Sequence, residues 1–272
     1  MLTDVNRYKS SLKKLWADTF GDNEEYISLL FDCGYTPSEC FAEIIDDEAV
    51  SALYLLTGKI KTGGKELEGR YLYAAATAES HRRKGLMEKL IKEAQEYVRA
   101  KGIAFISLVP ANEELYRYYS KFGFDSLMYN YRSLSDHIGL ELKGEIISPE
   151  DYLCLRNKLT DSTFSFSDNE WKYASSCLQY ADYDFVRNTE DSCYIISSNG
   201  DEVLEYISSE DNYTANTRIF LSRLGEGTEI VSPYDLSDYC KCDKNKFGMI
   251  YFADTDAKES IRDDIYMNIA LD

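Results

Sequence analysis

Residues 71–90 read YLYAAATAESHRRKGLMEKL, which joins a strand-like run, a basic turn with one glycine and an amphipathic helix. Where a strand gives way to a helix, the first helical N–H groups lack intrahelical partners, and the positive end of the helix dipole faces the same gap. Such a turn is suited to phosphate groups. His81, Arg82, Arg83 and Lys84 add positive charge there, in a chain whose formal net charge is -18. The pattern therefore predicts an anion-binding turn.

The elements around this turn follow from hydrophobic periodicity. Apolar spacing predicts two N-terminal helices, separated by Gly21-Asp22-Asn23. The pattern then predicts strands over 40–45, 49–60 and 67–77, and the helix after the basic turn over 86–101. It continues with a strand over 103–109, a short helix over 112–121 and a long strand over 122–134. This order places one strand–helix–strand crossover at its centre, which is typical of a mixed α/β fold.

A second unit is predicted after a connection at residues 139–149. We therefore expect a first domain over 1–138, the linker 139–149, and a second domain over 150–272. Beyond the linker the pattern predicts helices over 151–159 and 169–180, and strands near 192–197, 203–207, 229–231, 247–252 and 265–271. This half has no glycine-bearing basic turn. It could be a degenerate copy of the first half, although no clear sequence repeat supports that hypothesis.

Composition restricts the class of protein. Hydrophobic residues make up 44% and charged residues 29%, as in globular proteins. No apolar run approaches the roughly 20 residues needed to span a bilayer, and the N-terminus lacks the apolar core of a signal peptide. Seven scattered cysteines suit reduced thiols, so we expect a cytoplasmic protein without a membrane partner. Cys240 and Cys242 have no second pair at zinc spacing, so no metal site is predicted.

The acidic balance also bears on partners. Nucleic-acid binding needs a basic face, so we expect no nucleic-acid partner. A negative field is compatible with a cationic small-molecule substrate, although the same charge more simply serves solubility.

The basic turn is of a particular kind. Residues 82–87 read RRKGLM, which lacks the Gly-Lys-Ser/Thr of a P-loop and the three spaced glycines of a dinucleotide fingerprint. The turn resembles the Q/R-x-x-G-x-G/A motif of the GCN5-related N-acetyltransferases (GNAT), whose backbone amides bind the pyrophosphate of acetyl-CoA. Arg82 and Gly85 match that motif, whereas Met87 stands where the family has Gly or Ala.

A second motif strengthens the resemblance. Residues 112–124 read NEELYRYYSKFGF and match the family's N-x-x-A-x-x-x-Y-x-K-x-G-F, with Leu115 in place of the alanine. In the family the Asn contacts the cofactor arm and the Tyr protonates the departing thiolate. The resemblance therefore implies these roles for Asn112 and Tyr119. Core packing is the alternative role for Tyr119, in a chain with 23 tyrosines.

The same resemblance implies acetyl-CoA as co-substrate. In this fold the pantetheine arm pairs with the strand before the turn, and a strand amide, near Ala75 here, polarises the thioester carbonyl. The alternative for Arg83 and Lys84 is that they lie in a solvated loop and do not contact the cofactor. The implied cofactor contacts are Ala75, Thr77, Arg82, Arg83, Lys84, Gly85, Leu86, Met87 and Asn112.

The general base is less defined. The segments SHRRKGL and LWADTFGDNEEY resemble the enhanced-intracellular-survival type of GNAT protein, which adds a degenerate second copy of the domain; the resemblance covers roughly residues 1–133. Some members acetylate aminoglycosides and lysines and use the chain's own terminal carboxylate as base. That implies the α-carboxylate of Asp272 as a catalytic group; a closing strand with an idle carboxylate is the alternative. Glu43, Glu66 and Glu68 are further candidates.

The sequence thus favours an N-acetyltransferase that moves the acetyl group of acetyl-CoA to a primary amine by direct attack in a ternary complex. The acceptor stays open among aminoglycosides, polyamines, amino acids and protein lysines, as does the acyl group. A non-catalytic acyl-CoA-binding or protein-interaction module is the alternative, favoured by Met87 and the lack of an obvious base.

Overall fold

A computed structural model describes residues 2–31, 39–137, 139, 144–261, 265–269 and 271. The helices and strands predicted for the first half are confirmed, with shifts of a few residues at their ends. They are α1 (Val5–Phe20), α2 (Glu24–Phe31), β1 (Cys40–Ile45), β2 (Glu48–Thr62), β3 (Lys65–Thr77), α3 (Leu86–Lys101), β4 (Phe105–Leu108), α4 (Glu113–Ser120) and β5 (Asp125–Leu134). No helix in these described ranges is long and apolar enough to cross a membrane.

The second half contains more elements than its sequence pattern predicts. It comprises β6 (Glu145–Ile146), α5 (Pro149–Leu159), β7 (Thr163–Phe166), α6 (Asp168–Tyr180), β8 (Tyr183–Thr189), β9 (Ser192–Ser197), β10 (Glu202–Ser208), α7 (Tyr213–Leu221), β11 (Glu229–Ser232), β12 (Lys241–Phe252), α8 (Thr255–Ser260) and β13 (Ile265–Tyr266). The pattern missed β6, β7, β8, α7 and α8. The strand predicted over 265–271 is too long, because residues 267–269 are not in a strand.

One sheet joins the two halves. All 13 described strands belong to it. Strand β12 pairs antiparallel with β4 on one side and with β5 on the other, so a strand from the second half completes the sheet of the first. Strand β7 likewise pairs with β2. The two predicted domains therefore share a continuous hydrogen-bonded sheet.

The sheet separates two layers of helices. Along β2, Leu53 and Leu55 face the core that contains α3, whereas Tyr54 and Leu56 face the core that contains Trp16 of α1. This alternation follows from the two-residue period of a strand. It places α1 and α3 on opposite faces of β3.

Strands β3 and β4 part in the middle of the sheet. Their parallel pairing runs only from Gly69 to Tyr71 on β3, against residues 105–107 of β4. Beyond Tyr71, that edge of β3 has no strand partner in the described chain. Residues 74 and 75 also oppose Leu53 alone on β2, and Ala74 has φ 47°, which marks a β-bulge. The result is an open strand edge directly before the basic turn.

The first half of β3, before its open edge, permits a test of packing. Gly69 pairs with Gly58 across β2 and β3, and a Cβ atom on Gly69 would lie 2.1 Å from Cζ of Phe105. Because the ring is buried and cannot withdraw cheaply, Gly69→Ala is expected to lower the free energy of unfolding by about 1–3 kcal/mol. Urea denaturation would measure it. Gly225→Ala is the control, since its nearest atom lies 3.8 Å away; equal effects of the two substitutions would contradict this packing.

Candidate active site

The basic turn leads from β3 into α3. A 3-10 turn over 79–81 is followed by Arg82, and then Arg83 and Gly85 take positive φ values of 60° and 78°. Gly85 is the N-cap residue of α3, and a Cβ atom there would meet nothing within 4 Å, so backbone conformation rather than space favours glycine. Nε of Arg82 donates to the carbonyl oxygen of Thr77 at 3.2 Å. The turn is thereby tied to the end of β3.

A cleft of about 570 Å³ lies beside this turn. We call it the donor cleft. Most of the predicted cofactor contacts line it: Ala75, Thr77, Arg82, Arg83, Gly85, Leu86 and Met87. Met87 is half-buried and packs against the core under α3, so it shapes the wall of the cleft. Lys84 is exposed within the turn but does not line the cleft.

Asn112 lies outside the cleft lining. It is the exposed N-cap residue of α4, and its Oδ1 accepts a hydrogen bond from the backbone N–H of Leu115 at 3.1 Å. This is a capping contact that Asn makes at many helix starts. Its implied contact with the cofactor stays a prediction.

A second cavity of about 460 Å³, the acceptor chamber, lies at the open edge of β3 and is lined by residues of the core that contains α1 and of the core that contains α3. Ala75, Leu115 and Tyr119 line both cavities, so the donor cleft and the acceptor chamber meet at these residues. Tyr119 is only 7% exposed, and its ring makes edge-to-face contacts with Tyr118 and Phe124. Its hydroxyl has no hydrogen-bond partner among the described residues.

Burial sets the protonation state of Tyr119. Loss of hydration is the main cause that raises the pKa of Tyr119 above its ordinary value, with a smaller contribution from neighbouring Tyr118. The phenol is therefore protonated at neutral pH. Tyr119 lines both cavities and keeps a protonated hydroxyl without a hydrogen-bond partner among the described residues, so it is suited to donate a proton to a bound molecule.

The acceptor chamber holds a carboxylate that the sequence pattern did not single out. Asp22, half-buried in the loop after α1, lines the acceptor chamber, and its Oδ2 accepts a hydrogen bond from Nε1 of Trp16 at 2.7 Å. The available signal was its place in LWADTFGDNEEY, a segment that carried the family resemblance. Asp22 is the only charged side chain among the described residues that line this chamber.

The carboxylates considered from the sequence lie elsewhere. Glu43 pairs with Lys89 at 2.6 Å, Glu66 with Lys59 at 2.8 Å, and Glu68 with Arg70 at 2.8 Å. These three lie outside the lining of both cavities. Asp272 lies outside the described residues, although the preceding residue, Leu271, lines the acceptor chamber.

Comparison with known proteins gives this arrangement a family. Residues 7–127 match the family model described as "Acetyltransferase (GNAT) domain". No curated protein sequence matches the chain.

Similar solved structures cover nearly the whole chain. Eis1 from Mycobacterium abscessus has a TM-score of 0.71 at 13% identity, over 96% of this chain and 75% of that one. A GCN5-related N-acetyltransferase from Kribbella flavida has 0.69 at 16%, over 96% and 73%. Another, from Anabaena variabilis, has 0.69 at 14%, over 96% and 74%. At these identities the likeness is one of fold.

The parted strands, the basic turn and the helix that follows define the GNAT class of α/β fold. Residues 7–127 match the acetyltransferase domain of the GNAT superfamily, and the solved structures share their fold with nearly the whole chain. The superfamily and the mixed α/β fold predicted from the sequence are therefore confirmed. Acyl-CoA-dependent acetyl transfer is the general activity of this superfamily, with acetyl-CoA as co-substrate. The open edge of β3 and the glycine-bearing basic turn suit the arm and the pyrophosphate of that molecule.

Proposed function

We propose that this protein transfers the acetyl group of acetyl-CoA to a primary amine by direct attack, with both substrates bound at once. One observation carries the proposal: the donor cleft at the basic turn and the acceptor chamber with Asp22 meet at Tyr119 and Ala75. The two cavities give a donor and an acceptor separate places and a shared junction. Proximity of this kind supplies much of the acceleration of a two-substrate reaction.

The donor side is formed by β3 and the turn. Bound acetyl-CoA supplies an electrophilic thioester carbonyl and a thiolate leaving group. The open edge of β3 would hold the pantetheine arm by strand-like pairing, and the amides and cations at Arg82, Arg83 and Gly85 would hold the pyrophosphate. Bulges redirect backbone groups beside active sites, so the bulge at residues 74–75 supports an amide near Ala75 as donor to the carbonyl oxygen.

The acceptor side is formed by Asp22 and Tyr119. The Asp22 carboxylate attracts an ammonium group and accepts its first proton, which leaves a neutral amine to attack the carbonyl carbon. As the new N–C bond forms and the C–S bond breaks, the nitrogen gives up its second proton to solvent. The Tyr119 hydroxyl gives its proton to the sulfur and later regains one from solvent. Its raised pKa keeps that proton available before transfer.

A thiol-release assay with acetyl-CoA and a panel of amines tests this function, with Asp22→Asn as the variant. Asn keeps an oxygen for Trp16 and removes the charge, so kcat/KM for the amine is expected to fall about 10-fold or more. Asp18→Asn, an exposed carboxylate one turn earlier on α1, is the matched control.

The assay also separates this function from its alternative. Release that depends on an amine supports the transferase. Binding of acetyl-CoA without release from any amine would favour a non-catalytic acyl-CoA-binding module with the same fold.

The second half would not bind a second acetyl-CoA. It has its own parallel crossover, β10–α7–β11, in which only residues 202–203 pair with 229–230. At the end of β10, the Tyr234 hydroxyl accepts from the N–H of Ser208 at 3.0 Å and donates to its carbonyl oxygen at 2.6 Å. The turn before α7 reads SEDN at residues 209–212, which is acidic. These contacts support a degenerate copy whose strand edge is already occupied.

A further inference from the structure

The walls of the acceptor chamber are mainly apolar, and aromatic rings form a large part of them. Five rings line it, from Trp16, Phe20, Tyr71, Tyr73 and Tyr119. Trp16 is buried and makes edge-to-face contacts with Tyr73 at 5.4 Å and with Phe20 at 5.9 Å between ring centroids. These contacts hold the rings in place before any ligand binds. Binding of an apolar ligand would therefore cost the protein little side-chain conformational entropy.

One ring of the chamber is incompletely covered. Phe20, the last residue of α1, is 46% exposed while it lines the chamber. An exposed aromatic ring at the mouth of a cavity leaves apolar area that a ligand can cover. Gly21 ends α1 with φ 79°, which turns the chain so that Phe20 and Asp22 both border the same space.

Among the described residues of the lining, charge is restricted to one group. Asp22 supplies the only charged side chain of the described lining, and one of its oxygens already accepts from Trp16. The other oxygen has no protein partner among the described residues, so a single ammonium group has a place to bind. A second or third ammonium group would have to leave water for the apolar walls that the described residues form, at a large cost in free energy.

We infer that the acceptor is a monoamine carried on a flat aromatic body, of the 2-arylethylamine class. This inference rests on the proposed function. The amine lies at Asp22, where it loses its proton, and the ring packs against Phe20 and Trp16. Polycations such as polyamines and aminoglycosides are poor acceptors for this chamber.

The test compares three amines, 2-phenylethylamine, n-butylamine and spermidine, by thiol release and by isothermal titration to the protein with CoA bound. Because the ring covers apolar area that butylamine cannot, kcat/KM for 2-phenylethylamine should exceed that for n-butylamine by roughly 10–100-fold. Spermidine should be no better than n-butylamine. A higher kcat/KM for spermidine would overturn the inferred class while leaving acetyl transfer intact.

A variant pair shows where the preference arises. Phe20→Ala should lower kcat/KM for 2-phenylethylamine about 10-fold, with a much smaller loss for n-butylamine. Ile219→Ala, which trims another exposed apolar side chain on α7, should change neither. Equal losses for both amines in Phe20→Ala would contradict the aromatic subsite.

Binding measurements keep the two proposals apart. Binding of 2-phenylethylamine that Phe20→Ala weakens, without thiol release, would support the subsite and contradict the transferase. Transfer to another amine, without binding of 2-phenylethylamine, would do the reverse.

Discussion

Replacing Tyr119 with Phe is expected to lower kcat by roughly 10²–10⁴-fold, the usual contribution of a general acid. Tyr119 lines both cavities, and the substitution removes only its hydroxyl, which has no hydrogen-bond partner among the described residues. The ring contacts with Tyr118 and Phe124 remain available to Phe. Steady-state thiol release at saturating acetyl-CoA and amine measures the effect.

Tyr118→Phe is the matched control for this prediction. Tyr118 lies on the same helix, is half-buried and lines only the donor cleft. Its hydroxyl is not positioned at the acceptor chamber, so kcat should change by less than about threefold. The melting temperature should stay close to wild type in both variants. A loss of less than about threefold in Tyr119→Phe would assign Tyr119 to core packing instead.

The first half could be predicted because its local signals agree with its tertiary environment. Along β2, Leu53 and Leu55 alternate with Tyr54 and Leu56, and both sets are buried on opposite faces. Helix α3 begins directly after its N-cap residue Gly85 and ends directly before Gly102, which caps it with φ 70°. Where propensity, period and caps coincide, sequence alone defines an element.

Strand β12 shows why the second half was harder. Residues 241–246 read KCDKNK, a polar run without apolar alternation, so the strand was predicted to begin only at Phe247. In the structure this run pairs with residues 129–134 of β5. Hydrogen bonds to a distant strand, rather than local preference, make it a strand. Sequence periodicity carries no information about such a partner. Strand β7 has only four residues, too few for a clear periodic pattern, and α7 contains Thr and Asn, which have low helix propensity.

Two site residues show why the functional site could not be predicted fully from the sequence. Asp22 and Tyr119 are 97 positions apart in sequence, and only the fold brings both to one chamber. No local spacing could have joined them. Asn112 shows the opposite difficulty, because an Asn before a helix serves equally as a ligand contact and as a cap. The structure shows the capping contact, and the ligand contact needs its own measurement.

Reversing charge in the basic turn is expected to weaken CoA binding by about 100-fold or more. The variant is Arg83→Glu with Gly85→Glu. It removes a charge-assisted contact to phosphate, which contributes roughly 1.5–3 kcal/mol, and places two carboxylates beside an anion. A side chain at Gly85 must also take φ 78°, which is strained for any residue with a Cβ atom. Isothermal titration with CoA measures the dissociation constant, and circular dichroism verifies the fold.

Comparison of single substitutions distinguishes a structured cradle from general attraction. Arg83 lines the donor cleft, whereas Lys84, the next residue, is exposed and does not. Arg83→Glu should therefore weaken CoA binding far more than Lys84→Glu. The smaller effect of Lys84→Glu should disappear when salt is added, because salt at 0.1 M screens electrostatic attraction beyond about 10 Å. Equal, salt-sensitive losses would mean that the net charge of the turn attracts the ligand. The geometry of Arg83 and Gly85 would then have no special part in binding.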